Sequence, residues 1–113
     1  SDKALLHHQS VHQADGTPYV VSDRWINLDA VPEIAEVSFD DISANEWLVQ
    51  NAPYSGGDMV FFAINADETI ARYFETSPGT ALFAAERTTW NGDIPITHVR
   101  MTYAPGYRMR TQL

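Results

Sequence analysis

The sequence predicts an α+β domain, an antiparallel sheet with flanking short helices. Two observations carry this. Asp15-Gly16 and Asn91-Gly92 each lie between strand-like runs, and such dipeptides tolerate the positive φ angles of a tight hairpin turn. Between these hairpins lie two short stretches with apolar residues at helical spacing.

Taken in order, strands are expected at about 4–14, 17–28, 57–65, 80–90 and 94–104, with a short last one near 106–111. In Ser43-Ala44-Asn45-Glu46, Ser43 is an N-cap and Glu46 its returning capping-box partner, and Ala44, Trp47 and Leu48 then share a face. A second helix is expected after Asp67, with Ile70, Tyr73 and Phe74 at i, i+3 and i+4, ending before Pro78-Gly79. A single helical turn fits after Val31.

A two-residue turn at Asp15-Gly16 sets Ala14 opposite Thr17. His12 then opposes Tyr19, Ser10 opposes Val21, His8 opposes Asp23 and Leu6 opposes Trp25, all on one face; Val11, Val20, Leu5 and Ile26 take the other, with Gln9, Ser22, His7 and Arg24. The first face mixes aromatic and hydrogen-bonding groups, as a small-molecule pocket does, and as a sheet face half covered by helices also does. One bulge would reverse part of this register. In the second hairpin Trp90 opposes Asp93, which sets Glu86 opposite Thr97 and Leu82 opposite Met101. Thr88, Val99 and Tyr103 join that face, while Arg87, His98 and Arg100 lie on the reverse. A carboxylate among Leu82, Val99 and Met101 needs a partner or an edge position, which singles out Glu86.

The bulk numbers fit one domain over residues 1–113. At 44% apolar and 19% charged, the composition is that of a globular protein, and a chain this size buries roughly two-thirds of its unfolded surface. The longest apolar run, Met59 to Ile64, is too short to span a bilayer, and no signal peptide is legible. The absence of cysteine removes disulfides and thiolate chemistry and agrees with a cytoplasmic location. Fifteen acids against 7 bases give a net charge of −8, the wrong sign for gripping phosphate backbones. The start at Ser1 is what a trimmed piece would give; if the whole protein touches DNA, another domain is expected to do it.

Catalytic and metal motifs are missing. His7 and His8 are adjacent and point to opposite faces, while His8 and His12 stand about 13 Å apart at ~3.3 Å per residue, too far for one ion. Gly56-Gly57 has no lysine and opens no helix, and no Gly-x-Ser-x-Gly occurs. Neither metal nor cofactor is expected. His8 facing Asp23 is the pattern of an acid–base pair, and equally of a structural hydrogen bond.

The order of motifs is informative as a whole. An Ala14-Asp15-Gly16-Thr17-Pro18 turn precedes Asp23-Arg24-Trp25. There follow Ala44-Asn45-Glu46-Trp47-Leu48, Ala52-Pro53, Glu86-Arg87-Thr88-Thr89-Trp90 and Tyr103-Ala104-Pro105-Gly106-Tyr107. This resembles the UTRA effector-binding domain of GntR-type regulators of the HutC subfamily, and within it the histidine-utilisation repressors. The turn motif is shared by many UTRA domains; the other runs point to the subfamily.

The resemblance implies a chorismate lyase-like fold, no catalysis, a homodimer, and DNA binding through an N-terminal winged helix-turn-helix outside this chain. It implies a small-molecule effector, urocanate or a related small anion. Where sugar-phosphate-binding relatives carry two arginines, this chain has Ser10 and His12, which argues against a phosphorylated ligand. Ser43 matches a ligand-binding serine at a helix start, where backbone N–H groups attract anions; plain capping is the alternative role. A family glutamate falls at Ser22, where Asp23 is the available acid; another falls at Thr97, and a tyrosine is retained as Tyr103. The expected site is therefore Ser10, His12, Asp23, Ser43, Glu86, Thr97 and Tyr103. Ser10, His12 and Ser43 would hold the carboxylate, with the imidazole against Asp23 or Glu86 and near Tyr103.

Two other readings compete. The chorismate lyase scaffold is itself catalytic, so an enzyme acting on a small carboxylate is one alternative. A dimerisation module with a decayed pocket is the other, and it would show no ligand-dependent change in melting.

Overall fold

The computed structural model describes residues 5–36, 47–48 and 54–113. Its frame is a five-stranded antiparallel sheet, β1 (Leu5–Ala14), β2 (Thr17–Asn27), β3 (Gly56–Asn65), β4 (Ala81–Asn91) and β5 (Ile94–Tyr103), in the order β1-β2-β5-β4-β3. Helix is sparse: α1 (Glu68–Tyr73) and a 3-10 turn at Pro32–Glu36, the latter at the position expected after Val31. Of the helix expected from Ser43, Trp47 and Leu48 are helical, whereas Ser43 lies outside the described residues. The strand expected near 106–111 does not form; a turn at Pro105-Gly106 takes the chain off the sheet.

Both hairpins form. Asp15 and Gly16 have φ of 53° and 78°, the pair of positive angles that a type I′ turn needs. The second turn sits one residue later than expected, at Gly92-Asp93, because β4 runs on to Asn91. α1 is capped by Asp67, whose carboxylate accepts from Ile70 N at 2.8 Å and satisfies one of the first-turn amides.

The chain divides into two compact units. The first comprises residues 1–8, 24–59 and 87–99; the second comprises 9–23, 60–86 and 100–113. In the first, Ile26, Val31, Ile34, Leu48 and Ile96 form the core, with Leu6 and Trp47 packed on it. In the second, Ala66, Ala71 and Leu82 are buried under Ile64, Ile70 and Phe74, so the apolar side of α1 seals that end of the sheet. Tyr73, expected on the same apolar stripe, is exposed and bonds outward instead.

The register departs from the sequence expectation in both hairpins. Gln9 bonds to Asp23 and His7 stacks on Trp25, so β1 is shifted by one residue relative to the pairing that the two-residue turn dictates. His12 still sits by Tyr19, so three steps along β1 to Gln9 match four along β2 to Asp23; an extra residue in β2 between Tyr19 and Asp23 accounts for the shift and changes the pairing of faces beyond it. Asp23 thus faces Gln9 and not His8, which removes the His8–Asp23 pair. In the second hairpin Glu86 meets Arg100, Thr88 meets His98, and Thr89 meets Thr97. Glu86 and Thr88 therefore share a face with His98 and Arg100, while Thr97 and Tyr103 lie on the other; the expectation that Glu86 opposes Thr97 is overturned.

Candidate functional site

The second unit holds a polar hollow of about 380 Å³ beside α1, lined by Gln9, Asp23, Ile64, Ile70, Arg100 and Thr102. Gln9 Nε2 donates to Asp23 Oδ1 at 3.0 Å, and the Tyr73 hydroxyl donates to Gln9 Oε1 at 3.4 Å. Arg100 lies over the Phe62 ring, 5.2 Å from its centroid, with Nε 3.9 Å from Glu86 Oε1. That Nε is shut off from solvent and lacks a hydrogen bond.

Within the same unit Ser10 Oγ and His12 Nε2 share a hydrogen bond of 3.2 Å, with Tyr19 6.5 Å from the imidazole. Tyr103 is elsewhere. Its ring stacks on Tyr107 at 4.2 Å and lies 5.5 Å from Phe83, which in turn stacks on Phe61. Phe83 and Glu86 alternate on β4, so Tyr103 and the Asp23–Glu86 side of the sheet are on opposite faces. No single ligand in this unit can meet Tyr103 and either acid together, as the expected orientation required.

The first unit has two chemically distinct faces. On one, His7 stacks on Trp25 at 4.8 Å, and Trp25 lies 5.9 Å from His98, whose Nδ1 bonds Thr88 Oγ1 at 2.9 Å. A mostly apolar hollow of about 150 Å³ opens beside Trp25 and His98. On the other face, Thr97 is buried and its hydroxyl bonds that of Thr89 at 2.6 Å. Arg24, 8% exposed, lies on this face too, because it alternates with Trp25. Burial pushes the Arg24 guanidinium below its ordinary pKa, nearby Arg87 adds to that, and Tyr54 opposes it.

Asp23 is thus the expected site residue that lines the polar hollow, with Glu86 beside its Arg100. Ser10 and His12 form a pair of their own, and Thr97 belongs to the first unit. Sequence reasoning gave no role to Arg24, Arg87 or Arg100. The available signal was Arg24 itself, a charge in the otherwise half-apolar run Val20-Val21-Ser22-Asp23-Arg24-Trp25-Ile26. Among the described residues no cluster of three or more potential metal ligands occurs.

A profile of the UTRA domain matches residues 1–108. The chain belongs to the UTRA domain family. It is 30% identical over 108 residues to the histidine utilization repressor of Pseudomonas putida, covering 96% of this chain and 43% of that protein. The chain thus spans less than half the length of the curated relatives it matches. Among solved structures, the C-terminal domain of the histidine utilization repressor from Pseudomonas syringae superposes with a TM-score of 0.86. There the identity is 26%, covering 96% of this UTRA domain and 78% of that chain. The C-terminal domain of Yurk from Bacillus subtilis shares the fold, with a TM-score of 0.76 at 19% identity, covering 88% and 71% of the two chains. No described helix of this UTRA domain is long and apolar enough to cross a membrane.

Proposed function

We propose that this UTRA domain is the effector-sensing and dimerisation part of a bacterial repressor of histidine utilisation, acting in the cytoplasm. Its ligand is urocanate or a related small anion of histidine breakdown, and the ligand leaves unchanged. DNA is gripped by a separate domain, in keeping with the net charge of −8 here. The carrying observation is the joint match to histidine utilization repressors in sequence and in fold. Effector binding shifts operator affinity only through a preference for one dimer arrangement over another.

A thermal-shift screen of urocanate, imidazole propionate and formiminoglutamate tests this reading. A binder raises the melting temperature with concentration, by RT ln(1 + [L]/Kd) in stability, and is recovered intact. No shift with any of them defeats the sensor reading; conversion to product favours an enzyme.

A further inference from the structure

Four side chains of the second unit form one row across the sheet. Gln9 bonds to Asp23, and Glu86 meets Arg100. Ala104 N donates to Tyr19 O at 2.9 Å, a register of β2 against β5 that puts Asp23 level with Arg100, about 5 Å away at Cα. Gln9, Asp23, Arg100 and Glu86 thus lie side by side on β1, β2, β5 and β4, on one face. Ser10 and His12 stand one and three residues beyond Gln9, so they project from the other face.

The hollow of about 380 Å³ lies against this row, with Ile64 of β3 and Thr69 and Ile70 of α1 also on its wall. A cavity of about 150 Å³ accommodates one benzene ring, so this hollow has room for a ring with an acidic arm. Arg100 and Asp23 give it charges of both signs one strand apart. Arg100 has its Nε 3.9 Å from Glu86 and its guanidinium over the Phe62 ring, and that Nε makes no hydrogen bond although water does not reach it. The planar guanidinium presents several donors to a carboxylate. A carboxylate has about four lone-pair sites, so acceptance from a ligand N–H at Asp23 is compatible with its bond to Gln9. Asp67, also on the wall, has its carboxylate on Ile70 N. A simple anion would be drawn to Arg100 and repelled by Asp23, and a simple cation the reverse; a molecule with a carboxylate and an N–H group suits both.

We propose that the hollow beside α1 is the effector site, and that it takes small carboxylic acids bearing an N–H heterocycle. Arg100 holds the carboxylate, and the ring N–H donates to Asp23. The assignment deepens the sensor reading and rests on it for the identity of the ligand. It moves the anion-holding role away from Ser10, His12 and Ser43.

Calorimetry tests it with urocanate, urocanamide, which lacks the charge, and 3-(2-furyl)acrylate, which lacks the ring N–H. Proteins are wild type, Arg100→Gln, Asp23→Ala and, as a charge control on the exposed side of α1, Arg72→Gln, each checked for folding by circular dichroism. Wild type should bind urocanate at least about tenfold more tightly than either analogue. The preference over urocanamide should collapse toward one in Arg100→Gln, that over furylacrylate should collapse in Asp23→Ala, and both should persist in Arg72→Gln. The wild-type ratios decide even where a variant does not fold. Urocanate binding with either ratio near one in wild type, or unchanged in its own folded variant, overturns the site and leaves the sensor reading standing. If 3-(pyrrol-2-yl)acrylate binds through Arg100 and Asp23 while urocanate does not bind, the site stands and the histidine-pathway reading falls. Binding of neither acid removes both.

Discussion

Gln9 donates from Nε2 to Asp23 Oδ1 over 3.0 Å, while its Oε1 accepts from the Tyr73 hydroxyl at 3.4 Å. One amide thus ties α1 to the first hairpin and fixes which face of β2 carries the acid. Gln9→Glu sets two carboxylates in cross-strand contact and should lower stability by up to about 1 kcal/mol. Urea unfolding checks this, and the loss should shrink at 1 M salt, where exposed charges are screened. An unchanged midpoint at low salt would mean that the bond contributes nothing.

Two glycines are needed for different reasons. Gly16 has φ of 78° and open space where a Cβ would stand, so Gly16→Ala meets only backbone strain, about 1–2 kcal/mol. At Gly57 a Cβ would lie 2.9 Å from the Thr88 carbonyl oxygen, so alanine must push β3 off β4 and should cost about 1–3 kcal/mol. Denaturation of both variants separates the causes. A D-alanine placed at residue 16 by chemical synthesis should restore stability, whereas one at residue 57 should not.

Asp67 caps a helix of six residues, so its loss is felt along the whole element. Asp67→Ala should cost about 1 kcal/mol, and Asp67→Asn much less. Hydrogen exchange at the Ile70 amide, which now donates to Asp67, should accelerate first in the alanine variant. Equal exchange in both variants would show that the cap does not hold the helix start.

The turn dipeptides, the alternation of strands and the Asp67 cap were legible in the sequence because each depends on residues close along the chain. The register was not. The extra residue in β2, the displaced turn at Gly92-Asp93 and one extra residue in β5 between Ile94 and Thr97 carry no distinctive residue of their own, yet they decide which side chains meet. Asp23 and Glu86 were read as candidates from chemistry and resemblance, and the shifts moved them to the face of Arg100 and away from Tyr103. The proximity of Arg24 to Arg87 was not legible because only the register across three strands brings both beside Val99.

The most direct measurement is a 15N-labelled NMR titration of the isolated domain with urocanate. The account expects saturable shifts, at a concentration that also raises the melting temperature, confined to one contiguous set of amides. A spectrum unmoved by urocanate, imidazole propionate and formiminoglutamate alike would contradict it.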